Sequence, residues 1–142
     1  MKNIINIADA LLLIFQIVIG FNITAKGRDI PIHWGFDGGI DAWGSPYLIF
    51  ILPAAAIMVW LICRFYEKHP QFCNYPYSVR DRKAAFAVVE QMMGCITLWT
   101  SAFTAFLCYC VYDETLYMVP FIILLLVMVL ILIYYSVRLY HK

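Results

Sequence analysis

LYMVPFIILLLVMVLILIYYSVRL, residues 116–139, carries no polar side chain between Phe121 and Ile133. A helix needs ~20 predominantly apolar residues to cross a hydrocarbon core of ~30 Å. This run is long enough, and its tyrosines at 134 and 135, with Tyr140 just beyond, suit the aromatic belt at a membrane surface. Pro120 stands near its start, where a helix tolerates proline. The stretch reads as a membrane helix, and that reading decides the class of fold.

The rest of the chain agrees. Its 142 residues are 64% hydrophobic and 13% charged, against roughly 25% charged in an ordinary soluble domain. Three further apolar segments lie at about residues 4–23, 46–65 and 79–110. The expectation is an all-α, integral membrane four-helix bundle: one transmembrane domain over residues 1–142, with a folded glycine-rich loop at 24–45. The first segment reads as a retained helix, because Ile23-Thr24-Ala25 makes a poor signal-peptide cleavage site. A net charge of +1 and the absence of any basic run give no sign of nucleic-acid binding.

Basic residues orient the helices. Lys2, Arg64, Lys68, Arg80, Arg82, Lys83, Arg138 and Lys142 fall on one side of a four-helix arrangement, and only Lys26 and Arg28 on the other. The positive-inside rule then predicts that both termini are cytoplasmic and the 24–45 loop extracytoplasmic.

Within the helices, polar residues mark seams. Asp9, Gln16 and Gly20 share one face of the first helix. Glu90, Gly94, Thr97, Ser101, Thr104 and Cys108 share one face of the third. Small and hydroxyl-bearing residues let membrane helices approach closely, and ionisable ones are expected to face protein. The two faces are expected to meet, with Asp9 and Glu90 entering from the same side and needing a shared proton or an arginine, Arg64 or Arg80, to relieve their repulsion. The plainer reading is a packing seam; the sharper one is a polar pathway ending at Glu90. Pro53 predicts a kink in the second helix. Ser45-Pro46 predicts that helix's start, with serine as cap. Ser78-Val79-Arg80-Asp81 resembles a capping box for the third helix, which predicts a start near Val79. Five cysteines without a CxxC pair argue against a disulfide framework or a zinc site and read as packing residues.

The loop concentrates the remaining chemistry. Residues 27–46, GRDIPIHWGFDGGIDAWGSP, hold five of the seven glycines together with Asp29, His33, Trp34, Asp37, Asp41 and Trp43. Glycine at this density predicts a compact series of turns. His33 and Asp41 could form a metal site with Asp37 or Asp29, or Asp41 could simply lock the His33 ring. Trp34 and Trp43 suit either seating at the headgroups or stacking on a ligand. No nucleophile and base come together readily, since Ser45 reads as a cap and Cys63 and Cys73 fall on the side away from His33. His69 and His141 read as solvated. No cofactor is implied.

His33-Trp34, then Gly38, then Asp41, then Trp43-Gly44-Ser45 resembles the signature of domain-of-unknown-function family 1648, bacterial membrane proteins related to the SdpI-type immunity proteins. Pro46 stands where that pattern has lysine. Asn74-Tyr75-Pro76 is a second similar piece, and the resemblance extends over about residues 28–110. It implies residence in the bacterial cytoplasmic (inner) membrane and a non-enzymatic binding, sensing or immunity role. The implied site is His33, Trp34, Gly38, Asp41, Trp43, Gly44 and Ser45, and besides the lipid bilayer the implied partner is a peptide, a lipid or a membrane protein. The competing reading is a small transporter or metal-dependent membrane enzyme that uses His33, Asp41 and Glu90, with Asp9 and Gln16 as further intramembrane polar groups.

Overall fold

The computed structural model describes residues 2–75 and 79–142. Four helices cross the molecule: α1 (Lys2–Lys26), α2 (Ile51–Lys68), α3 (Arg82–Tyr112) and α4 (Met118–Tyr140). Each of the four spans is long and apolar enough to cross a membrane, α2 together with the 3-10 turn that leads into it. Between α1 and α2 the chain makes two strands, β1 (Ile30–Trp34) and β2 (Ile40–Gly44), and a 3-10 turn over Pro46–Phe50.

α3 is the hub and packs against α1, α2 and α4. Its small-residue face explains why. Gly94, Thr97, Ser101, Thr104 and Cys108 are all buried, and residues of this size let neighbouring backbones come close. Thr97 and Thr104 satisfy their hydroxyls on their own helix, at Gly94 O (2.9 Å) and Thr100 O (2.8 Å), so neither needs a partner across the seam. Glu90 departs from the expected stripe. It is exposed at the end of the bundle and pairs with Lys2, so its charge is met by a lysine and not by Arg64 or Arg80.

α4 packs on α3 and leaves most of its surface outward, with only Tyr135 and Leu139 buried. Three polar links hold it. Trp99 Nε1 donates to Leu124 O at 2.8 Å, Arg138 Nη1 donates to Gln91 Oε1 at 2.8 Å, and Cys95 Sγ lies 3.2 Å from Tyr135 Oη.

The helix ends differ from expectation in three places. Pro53 falls in the first turn of α2, where no intrahelical N–H is required. The expected kink is replaced by a change of helix type, 3-10 over Pro46–Phe50 and α from Ile51. Ser45 occupies the N-cap position, but its backbone carbonyl, not its hydroxyl, takes the Leu48 N–H at 3.0 Å. α3 begins at Arg82, three residues later than expected, because Asp81 Oδ1 accepts the Ala84 N–H at 3.0 Å. Ser78 of the expected capping box and Pro76 of Asn74-Tyr75-Pro76 lie outside the described residues. All five cysteines are free.

Two buried clusters sit at opposite ends. Ala85, Val88, Val89, Tyr135 and Leu139 form one near the termini. Ile19, Ile23, Ile30, Ile49, Cys108 and Val111 form the other, with Trp34 against it. The second cluster joins the loop to α1 and α3, which positions the site. Gly20 contributes here: a Cβ at this position would lie 2.8 Å from the Phe50 ring, so only glycine lets that ring lie against α1.

Candidate functional site: a hairpin cap over an apolar cavity

The glycine-rich loop is a β-hairpin, where turns alone were expected. β1 and β2 run antiparallel, pairing Ile30 with Gly44, Pro31 with Trp43, His33 with Ala42 and Trp34 with Ile40. The register shifts on either side of His33. Such bulges twist a strand and re-aim its side chains. Here they fall beside the residue with the most chemistry.

The turn is built by its own polar groups. Gly35 N–H donates to Gly39 O at 2.8 Å, Gly38 N–H to Gly35 O at 2.9 Å, and Gly39 N–H to Asp37 Oδ1 at 3.0 Å. Gly38 has φ +80°, a conformation that side chains with a Cβ resist. Asp37 is therefore a turn-forming residue.

His33 Nδ1 lies 2.5 Å from Asp41 Oδ1, and both side chains are more than half exposed, at 67% and 54%. The contact orients the imidazole, which stays largely exposed. Among the described residues no three His, Cys, Asp or Glu side chains converge as metal ligands.

Beneath the hairpin is a cavity of about 290 Å³, bounded by Pro31, Trp34, Leu48, Ile49, Leu52 and Leu107 among others. Its lining side chains are apolar, and Trp34 is one of them. Trp34 Nε1 is buried and has no hydrogen-bond partner. A buried donor left unmade costs about 1–3 kcal/mol. Outside the cavity, Trp43 is half exposed and Phe36, at the hairpin tip, fully so.

The structure thus brings together His33, Trp34, Gly38, Asp41, Trp43, Gly44 and Ser45 in one small unit on the ends of α1 and α3. It does not bring Glu90 to them. Glu90 lies at the other end of α3, seventeen residues from Leu107, or roughly 26 Å of helix. Asp9 and Gln16 lie between, in the α1–α3 seam. Sequence reasoning missed Phe36, whose signal is a lone aromatic between two turn glycines. It also missed the ionic cluster of Lys2, Arg64 and Glu67: Arg64 and Glu67 are an i,i+3 pair on α2, but Lys2 joins them from the far end of the sequence.

The fold defines a multi-pass membrane protein with a structured inter-helix cap. Residues 28–70, which run from the hairpin through α2, match the model of a family described as "Domain of unknown function (DUF1648)". The match ends before Asn74-Tyr75-Pro76, so the wider resemblance over residues 28–110 is met only in its first part. No curated protein and no solved structure matches the chain.

Proposed function

We propose that the hairpin cap is the recognition surface of a bacterial inner-membrane protein, and that it takes an amphipathic ligand, a peptide or a lipid, from the extracytoplasmic side. The observation that carries this reading is the apolar cavity beneath the hairpin, lined in part by Trp34, whose buried Nε1 has no partner. Pockets for small ligands are typically apolar with a few placed polar groups. An apolar group would fill the cavity, and a turn of the Trp34 ring on binding would offer its N–H to a carbonyl oxygen of the ligand. The exposed imidazole of His33, held by Asp41, and the exposed rings of Phe36 and Trp43 supply contacts for the polar part or for a partner protein. A sensing or immunity role accords with such a surface, because it requires capture and no turnover.

The test uses a protein in which Trp43, Trp60 and Trp99 are changed to phenylalanine, so that Trp34 alone reports. It is titrated with a lysophospholipid and, separately, with an amphipathic cationic peptide. Binding shifts the Trp34 emission, and Leu107→Trp, measured as competition with a labelled ligand, fills the cavity and blocks the response. Emission that stays constant with both probes would remove the proposal.

A further inference from the structure

The end of the bundle away from the hairpin holds a second cavity, about 370 Å³. Its charged groups form a continuous chain. Lys2 Nζ lies 2.9 Å from Glu90 Oε1 and 3.2 Å from Glu67 Oε2. Arg64 Nη1 donates to that same Glu67 oxygen at 2.6 Å, and Arg64 Nη2 donates to Asn6 Oδ1. Two cations meet two carboxylates, so the cluster is neutral and every member is engaged.

Ile5 and Asn6 of α1 and Gly94 of α3 line this cavity. Asp9 and Thr97 stand one helical turn further into the bundle, about 5 Å along each axis. Asp9 is 2% exposed, and neither carboxylate oxygen has a hydrogen-bond partner. The hydroxyls of Thr97 and Ser101 are beside it, but Thr97 Oγ1 donates to its own helix at Gly94 O. Further along the same seam, Gln16 Nε2 donates to Ser101 O, while Gln16 Oε1 is buried and unpartnered.

The charged and titratable groups facing Asp9 come from α2: Arg64, Glu67 and Cys63. Arg64 spends its hydrogen bonds on Glu67 and Asn6. At this level α3 presents only hydroxyls, and on α1 Lys2 is held by the two glutamates. α4 packs on α3. Among the described residues, then, no cation bonds the Asp9 carboxylate. A buried, unpaired carboxylate is among the costliest groups a protein can hold. One positive charge neutralises it. A divalent ion would leave excess charge and usually recruits further carboxylates, and no cluster of three ligating side chains occurs among the described residues. The neighbouring donors are oxygens, which suit a hard ion.

We propose that Asp9 binds one small monovalent cation, a proton or Na⁺, which reaches it through the cavity between Lys2, Arg64 and Glu90. The site is independent of the hairpin cap and of its ligand.

The test melts the detergent-solubilised protein and its Asp9→Asn variant at constant ionic strength in NaCl and in choline chloride, from mildly acidic to mildly alkaline pH. Infrared spectra are recorded in parallel. A Na⁺ site raises the wild-type Tm in NaCl over choline by several degrees, and Asp9→Asn loses the difference. A proton site shows no Na⁺ preference. Instead, wild-type Tm rises as pH falls, and a protonated-carboxyl C=O band is present that Asp9→Asn removes. Should Asp9→Asn fail to fold, Thr97→Val and Ser101→Ala take its place. Each keeps the carboxylate and removes a neighbouring oxygen, and each weakens the Na⁺ response or shifts the carboxyl band. Identical salt and pH responses in wild type and variants, with no carboxyl band that moves, overturn the proposal.

Discussion

Gln16 Nε2 donates to the backbone carbonyl of Ser101 at 3.2 Å, across the seam where α1 meets α3. Both residues are buried. The bond ties the middle of α1 to a helix that also carries α2 and α4. Hydrogen bonds between membrane helices contribute about 0.6 kcal/mol on average. Gln16→Leu keeps the volume, removes the bond and also removes the unpartnered Oε1. We expect a stability change of less than about 1 kcal/mol, measured by reversible unfolding in mixed micelles. A loss of several kcal/mol would mean that the seam depends on this amide far more than its geometry indicates.

Gly20 and Phe50 make the opposite kind of contact, set by volume alone. A methyl at position 20 would meet the Phe50 ring at 2.8 Å, and that ring already packs edge-on against Phe21 with centroids 5.5 Å apart. Gly20→Ala should cost about 1–3 kcal/mol through overpacking. The double variant Gly20→Ala/Phe50→Leu should recover part of the loss. Unfolding of the four proteins of this cycle tests it, and strict additivity of the two changes would exclude the clash.

Gly38 is a backbone matter. At φ +80° a β-branched residue is strained, and Gly38→Val should cost roughly 1–3 kcal/mol. The damage should stay in the hairpin. Far-ultraviolet circular dichroism should keep its helical signal while the emission of Trp34 changes.

The His33–Asp41 pair should contribute little to stability. Exposed ion pairs are worth about 0–1 kcal/mol, and both side chains here are more than half exposed. A double-mutant cycle with His33→Ala and Asp41→Ala should therefore give a coupling below about 1 kcal/mol. If the pair serves recognition, the same variants abolish the ligand response while Tm holds. A response that falls only in step with Tm would make the pair a structural lock.

Tyr117, between the acidic turn and α4, gives a pH test. Its hydroxyl donates to Asp113 Oδ2 at 2.5 Å, and that carboxylate raises the phenol from 10.0 to about 12. The folded protein favours the protonated phenol. The contribution to stability is therefore complete below the ordinary tyrosine value and lost as pH rises through about 12. Asp113→Asn should move one tyrosine back toward its ordinary value in an ultraviolet titration. A titration unchanged by the substitution would mean that the contact does not form in solution.

The spans were legible because a membrane imposes a composition no soluble fold needs, and residues 121–133 show it without interruption. The α1 and α3 seams were legible from spacing, since Asp9, Gln16 and Thr97, Ser101 recur at helical intervals. The hairpin was not. Pro31 breaks the donor pattern of β1, and bulges on both sides of His33 disturb the alternation by which a strand is recognised. Glycines visible as turn-formers therefore concealed two strands. The cavity beneath Trp34 was invisible for another reason, because Leu107 of α3 meets Ile49 and Leu52 at the start of the second span, and each reads as an ordinary lipid-facing or core residue. The Lys2–Glu67–Arg64 cluster likewise depends on α1 and α2 ending side by side.

The seating of α4 has a mechanical consequence. A helix packed mainly against one neighbour can rock about that contact without prying the rest of the bundle apart. Trp99 is the rivet: its indole N–H grips the Leu124 carbonyl, and its ring stacks on Phe103, which in turn meets Phe121. Trp99→Leu would slacken the hinge between α3 and α4 while α1, α2 and the hairpin stay clamped, making the fourth helix the compliant part of an otherwise stiff assembly.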